Sequence, residues 1–357
     1  MTPNHIGYGS FFHAVTANSL KNLEQKNTIE NPRFFYTGRH AVKAIIDEII
    51  KTRSIDTIWL PNYYCQHVTS WLKRSFSNIH FYDIDPFEED SFFSIESFAD
   101  GDDIVLLNNF WGIFSYNVPK TPDGPICIED HSHGWLSPSC LNSNAHYCFA
   151  SLRKTMPIPL GGVLWRPDGK SALDESTRFS VDSMFNRAWS DNQTAMMAKT
   201  SHLKNEKTEI SKSDYLELIG KTESFLHKQF DVVEMQTDHI DEILKFFNKD
   251  YMCYKQDNLT IAHKFKNYSN LFKVLERPGY TTFGLNLAFK DEKTLNLAKS
   301  FLIDHMVYPS ELWPNNLLDA KWRYLLNVHL DFRYNSEDIV YISNILELWC
   351  KKMSIDV

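Results

Sequence analysis

No stretch of this chain approaches the ~20 consecutive apolar residues that a membrane-spanning helix needs, and residues 1–15 lack a basic segment followed by an apolar one. Neither a bilayer span nor a secretory leader is therefore expected. The chain has only six cysteines (Cys65, Cys127, Cys140, Cys148, Cys253 and Cys350), with no CxxC pair and no regular spacing. That pattern excludes a disulfide scaffold and points to reduced thiols in a cytoplasmic protein. The formal charge of -8 is spread along the sequence, without a basic stripe or an arginine-rich arm, so nucleic acid is not an expected partner. Missing too are a GxSxG elbow, an HExxH helix, a Walker loop and a GxGxxG turn, which argues against serine hydrolases, zinc proteases, nucleotide hydrolases and Rossmann dehydrogenases.

What is present is ample core material: 43% of the 357 residues are hydrophobic and 14% aromatic, enough for two domains or one large one. Residues 1 to 37 read as an irregular arm. From Arg39 to Lys51, apolar Ala41, Ala44, Ile45, Ile49 and Ile50 recur at helical spacing. Beyond it, short apolar runs alternate with connections: 57–60, a helix over 66–74, then 79–82, 103–107, 126–128, 146–149 and 162–165. This alternation predicts an α/β fold with a mostly parallel sheet covered on both faces. After Pro167 charged helical segments follow at 214–230 and 239–247, then a strand over 282–288 and helices over 292–305 and 337–351.

In open α/β sheets ligands collect at the carboxyl ends of the strands, and four polar or aromatic stretches fall there. They are Asn62-Tyr63-Tyr64-Cys65, Asn108-Asn109-Phe110-Trp111-Gly112, Glu129-Asp130-His131-Ser132-His133-Gly134 and Ser151-Leu152-Arg153-Lys154. Taken singly, an aspartate after a strand is ordinarily a turn former, and a loop lysine a solvated charge. Together they suggest a pyridoxal phosphate site, because an aldehyde cofactor needs an amine to hold it and a carboxylate to keep its ring nitrogen protonated. Lys154 and Asp130 supply both. Thr37-Gly38-Arg39 opens the first helix, where backbone N–H groups and a cation could hold the phosphate; a simple cap by Thr37 is the equal alternative. His131 and His133, with Cys127 or Cys148, form too loose a spacing for a metal site, and none is expected. His133 reads better as a partner stacked on, or hydrogen-bonded to, the cofactor ring.

The order of these motifs resembles the DegT/DnrJ/EryC1/StrS sugar aminotransferases over roughly residues 35 to 165. Carrying it are Thr37-Gly38-Arg39, Leu60-Pro61-Asn62-Tyr63-Tyr64-Cys65, Asp83-Ile84-Asp85, Phe110-Trp111-Gly112, Glu129-Asp130-His131-Ser132-His133, and Ser151-Leu152-Arg153-Lys154 followed by Gly161-Gly162. Further on, Tyr308-Pro309-Ser310-Glu311-Leu312-Trp313-Pro314 and Asp331-Phe332-Arg333-Tyr334 look like late motifs of a divergent branch. The resemblance implies a fold-type-I pyridoxal phosphate enzyme, usually a homodimer with its active sites at the subunit interface. It further implies Lys154 as the Schiff-base lysine, Asp130 as the ring-nitrogen partner, and Gly38, Arg39 and Ser151 as phosphate ligands, with His133 beside the ring. The family usually places a stacking aromatic near the position of Cys65, and here Tyr63 and Tyr64 are the candidates. Asn186 and Arg187 are candidates for the segment that reaches across a dimer.

The expected organisation is an arm over 1–35, a large cofactor-binding α/β domain over 36–230 and a small domain over 231–357. The expected activity is transfer of an amino group from an amino acid, with glutamate the favoured donor, to a nucleotide-linked keto sugar for surface polysaccharide or natural product synthesis. Arg333, with Tyr63, is a candidate for substrate binding, yet an arginine so close to Asp331 is as often a structural ion pair. Two alternatives stand beside this: other chemistry on the same cofactor, such as dehydration or decarboxylation, and a degenerate member that binds a ligand or partner without catalysis.

Overall fold

The computed structural model describes residues 7–24, 29–88, 93–118, 120–121, 123–265, 271–316 and 318–355. A seven-stranded sheet is built from β1 (Arg33–Phe35), β2 (Thr57–Pro61), β3 (Ile79–Tyr82), β4 (Asp103–Asn108), β5 (Ile126–Asp130), β6 (Tyr147–Ser151) and β7 (Gly162–Trp165). Its order is β1-β7-β6-β5-β4-β2-β3. The five strands from β6 to β3 run parallel, while β7 is antiparallel to β6 and β1 antiparallel to β7. The mostly parallel arrangement matches the continuous apolar runs, because a parallel sheet is covered on both faces. In β4 alternate side chains serve opposite layers: Ile104 and Leu106 pack with helix α1 (Gly38–Thr52) and helix α2 (Gln66–Ser75), whereas Val105 and Leu107 join the core on the other face.

Helix α1 buries Ala41, Val42, Ile45, Ile46 and Ile49 against that sheet, each large apolar side chain contributing about 1.5–3 kcal/mol. Its entry is fixed by Thr37, whose hydroxyl accepts the N–H of His40 at 3.1 Å. Gly162 of β7 lets this turn come close, since a Cβ there would lie 2.2 Å from the carbonyl oxygen of Thr37. The start of α1 is thereby pressed against the strand ends.

The short helix α3 (Pro138–Leu141) follows β5, and after β7 come α4 (Met184–Leu203), α5 (Lys212–Lys228), α6 (Thr237–Phe247) and α7 (Tyr251–Ala262). The remainder builds a second, antiparallel sheet from β8 (Lys273–Leu275), β9 (Leu285–Phe289), β10 (Ser310–Leu312) and β11 (Tyr324–Val328), in the order β10-β11-β9-β8. Helices α8 (Glu292–Asp304) and α9 (Ser336–Ile355), together with α7, cover it around Leu287, Phe289, Leu302, Leu326, Ile342 and Trp349.

The arm differs from the irregular segment expected. Residues 33–35 form an edge strand, and residues 7–12 lie against the small sheet, with a parallel bridge from Tyr8 to Val307 and the N–H of His329 donating to the carbonyl of Gly9 at 3.0 Å. No helix among the described residues is long and apolar enough to cross a membrane.

Candidate active site at the strand ends

Because β2, β4, β5 and β6 are adjacent and parallel, their carboxyl ends lie along one edge of the sheet, and backbone hydrogen bonds tie the loops together there. The N–H of Asn109 donates to the carbonyl of Asp130 at 3.0 Å, and that of His131 to Phe149 at 2.9 Å. The Ser151 N–H donates to the Ser132 hydroxyl at 2.8 Å. Three of the sequence-predicted stretches are thus tied together along that edge, and the Tyr64 hydroxyl, bonded to Asp130, joins the fourth to them.

Asp130 ends β5 and is buried. Its Oδ1 accepts the Ser132 N–H at 2.8 Å and its Oδ2 the Tyr64 hydroxyl at 2.5 Å. Burial, and then the Asp130 charge, push the Tyr64 phenol well above its usual range, so Tyr64 is a neutral donor. A carboxylate has about four acceptor sites, and these two bonds leave capacity for another donor.

Lys154 sits in a single 3-10 turn, Leu152–Lys154, directly after β6. Its Nζ is 3.2 Å from Nε2 of His133. Burial pushes the His133 imidazole well below its usual range, helped by the charges of Lys154, Lys255 and His329. The ring is therefore neutral; it accepts from the lysine at Nε2 and carries its proton on Nδ1, which is buried without a partner. Phe283 and Trp313 lie nearly parallel to it, at 4.5 and 5.3 Å between ring centres. What His133 offers a ligand is thus its edge. Trp313 and Trp111 both hold left-handed backbone, with φ of 50° and 54°, a conformation costing a bulky residue on the order of 1–3 kcal/mol that persists where the surroundings over-determine it. The small-sheet rings that hold His133, Phe283 and Trp313, carry no sequence signal of that role.

At the start of α1 a Cβ on Gly38 would lie 3.1 Å from Ser151 Cβ, so the first N–H groups of the helix, which have no acceptor within it, open beside the end of β6. Arg39 is buried next to them, its Nη1 donating to His227 Nδ1 at 2.7 Å. Burial lowers its pKa, as does the neighbouring Arg153. Arg153 is paired with Glu223 of α5. Cys65 caps α2 and is half-buried. Tyr63 is fully buried among Phe87, Trp111 and Trp313, with its hydroxyl unpartnered. Arg333 lies beyond β11: its Nη1 pairs with Asp331 at 2.6 Å while Nε and Nη2 are buried without partners. Arg187 on α4 is exposed, its nearest carboxylate Asp191 at 3.7 Å.

The two histidines of the β5 loop face different ways. His131 turns to Glu129, with 3.3 Å between Nε2 and Oε2, and these two together with Cys148 place ligand-type atoms within 4.8 Å of one another. Asn109 decides how that group is protonated. Its Oδ1 accepts the Phe114 N–H at 3.2 Å, so its Nδ2 faces His131 Nδ1 at 3.2 Å. Nδ1 is thereby engaged as an acceptor, and Nε2 carries the ring proton on the side of Glu129, a neutral ring facing a carboxyl group.

No protein-family model and no curated protein sequence matches the chain. Solved structures do match by shape. Spr1654 from Streptococcus pneumoniae, described as a candidate sugar aminotransferase and solved in its PMP form, aligns with a TM-score of 0.62 at 10% identity, over 91% of this chain and 87% of that one. A DegT DnrJ EryC1 StrS aminotransferase from Brucella abortus gives 0.57 at 10% identity over 91% and 87%. The sugar aminotransferase CalS13 from Micromonospora echinospora gives 0.54 at 11% identity over 98% and 100%. The chain therefore has the architecture of these proteins, the fold-type-I transferase fold: a large, mostly parallel sheet flanked by helices beside a small antiparallel sheet.

Proposed function

We propose that the chain is a pyridoxal phosphate-dependent aminotransferase that moves an amino group from an amino acid, glutamate being the favoured donor, to a keto sugar. The observation that carries this reading is the pairing at the strand ends: Lys154 Nζ 3.2 Å from a neutral His133, with the Asp130 carboxylate at the end of the neighbouring strand. The donor set fits the cofactor. An anionic acceptor with spare capacity, a primary amine, a helix start beside Gly38 and Ser151, and the buried unpartnered Nδ1 of His133 are what a polar, phosphorylated, ring-bearing molecule would engage. The solved structures sharing the fold include sugar aminotransferases, one of them in its PMP form.

When bound, the cofactor would supply an electron-accepting ring. The remaining work falls to the side chains. Asp130 holds a positive charge at the ring nitrogen, and Tyr64 and Ser132 keep that carboxylate in place. Lys154 provides the covalent tether and, once released, the base that takes and returns a proton at the substrate carbon. A neutral His133 accepts from Nζ and orients it without adding a second positive charge. Gly38, Arg39 and Ser151 would anchor the phosphate, and Tyr63 and Arg333 are the residues we assign to the substrate. In the net reaction the amino acid becomes a 2-oxo acid and the keto sugar an amino sugar. We take the acceptor to be nucleotide-linked, the assembly to be a homodimer in the cytoplasm, and the chain to comprise the arm, large domain and small domain of 1–35, 36–230 and 231–357.

The test is a half-reaction. Protein loaded with pyridoxal phosphate and given excess glutamate, without acceptor, should release about one equivalent of 2-oxoglutarate per active site, and Lys154→Ala should release none. Release by the variant at the wild-type rate would remove Lys154 from the reaction.

A further inference from the structure

Neighbouring residues of a strand face opposite sides, so Glu129 points away from the crevice that Asp130 borders. It lines a cavity of about 320 Å³ shared with Ser115, Tyr116, Ser139, Ser143 and Tyr280. That volume lies at the small end of the ~300–1,000 Å³ range of ligand sites. Its rim joins the large sheet's loops to the segment before β9, where the hydroxyls of exposed Ser115 and of Tyr280 are 2.8 Å apart.

Glu129 is 2% exposed, and its two oxygens are unequally served. Oε2 accepts the Ser143 hydroxyl at 2.5 Å and faces Nε2 of His131 at 3.3 Å, whereas Oε1 is buried without a partner. His131 brings no charge, because its Nδ1 is held as an acceptor by Asn109. No lysine or arginine among the described residues is paired with Glu129. Its other neighbours are neutral too: burial first, and the charge of Glu129 in addition, push up the thiols of Cys127, Cys140 and Cys148. A buried carboxylate with one unpaired oxygen and no positive neighbour is costly, and a cationic donor would relieve both deficits. Around it the hydroxyls of Ser115, Ser139 and Tyr280 can exchange hydrogen bonds with hydroxyl groups, and the Tyr116 and Tyr280 rings supply apolar wall.

We propose that this cavity is a second ligand site, separate from the strand-end crevice, for a protonated primary amine on a small polyhydroxylated body, the chemistry of an amino sugar. The ammonium group donates to Glu129 Oε1, and the ligand's hydroxyls reach Ser115, Ser139 and Tyr280. Resting on the function proposed above, this is also the class of compound that the reaction forms, so the cavity is placed to sense product.

Calorimetric titration of the full-length, cofactor-free protein with glucosamine and with glucose, at pH 6 and constant ionic strength, tests this. Saturable binding of glucosamine is expected, with glucose weaker by on the order of tenfold or more, as for loss of a hydrogen bond to a charged group. Glu129→Gln should remove most of that difference. Ser115→Phe, a change at an exposed rim position, should weaken glucosamine by obstructing the entrance. Asp130→Asn should leave glucosamine binding unchanged, since that carboxylate faces the other side of the strand. The proposal fails if glucosamine binds no better than glucose, if Glu129→Gln has no effect, or if Asp130→Asn alone abolishes binding, which would move the amine to the crevice. Zinc binding that is lost in both Glu129→Gln and Cys148→Ser, without glucosamine binding, would make the cavity a metal centre and overturn it. Should Glu129→Gln not fold by circular dichroism, Ser115→Phe decides the matter. A cofactor adduct at Lys154 without glucosamine binding removes the cavity site alone; glucosamine binding without the adduct removes the proposed function alone.

Discussion

Removing one oxygen from Tyr64 tests whether Asp130 is held as a charged, pre-positioned group. In Tyr64→Phe the Oδ2 of Asp130 loses its 2.5 Å donor while Oδ1 keeps the Ser132 N–H, and both side chains are about 4% exposed, so bulk water does not readily replace the hydroxyl. A hydrogen bond to a charged group contributes about 1.5–3 kcal/mol, and a buried acceptor left unpaired belongs at the upper end. Cofactor-free protein should therefore lose about 2–3 kcal/mol of unfolding free energy in urea, the cofactor being left out because it would stabilise the folded state by mass action. Asp130→Asn supplies the control. If the bond is charge-assisted, the double variant should cost less than the sum of the singles by about 1–2 kcal/mol. Strictly additive effects, or an unchanged urea midpoint in Tyr64→Phe, would refute a charged Asp130 held by Tyr64.

Gly162→Ala places a methyl group 2.2 Å from the Thr37 carbonyl oxygen, and with backbone on both sides the start of α1 must move; a loss of about 3 kcal/mol, the upper range for overpacking, is expected in thermal unfolding, with weaker binding of inorganic phosphate at that helix start. Lys199 has a folded pKa of about 7 against an ordinary 10.5. Between those values the unfolded chain binds the proton that the folded one has shed, so stability should rise with pH from 7 to 10.5, the penalty of a buried charge being fully present below 7. Lys199→Met should flatten that rise, seen by comparing urea midpoints of variant and wild type at pH 6 and pH 10; parallel curves would show that Lys199 is not perturbed. Lys154→Ala should leave far-ultraviolet circular dichroism and the urea midpoint within ~0.5 kcal/mol of wild type, as for a half-buried side chain with one partner.

The large sheet was legible in the sequence because parallel strands buried on both faces are short unbroken apolar runs, and each ends in polar residues where the ligand edge lies. Asp103 to Asn108 and Ile126 to Asp130 illustrate both features. The grouping of Tyr64, Asp130, His133, Ser151 and Lys154 followed from that order. Helix α4 was not legible: fully buried Asn192, which donates to the Pro159 carbonyl at 3.0 Å, and the exposed Met184 and Met197 break its apolar face. Nor was α7, where Lys255 and Asn258 are buried among Tyr251, Leu259 and Ala262. Three-residue strands such as β1, β8 and β10 are too short for alternation to register. Lys199, Lys255 and Arg333, whose charges all act on buried His329, come from three separate stretches, and Phe283 and Trp313 reach His133 only through folding of the small sheet. Contacts of that kind have no local signature.

The most direct measurement of the central claim is borohydride reduction of the protein incubated with pyridoxal phosphate, followed by peptide mapping. The account predicts a yellow protein whose reduced adduct maps to the peptide holding Ser151-Leu152-Arg153-Lys154, absent in Lys154→Ala. A colourless protein with no adduct, or an adduct confined to Lys199, Lys255 or surface lysines, would contradict it.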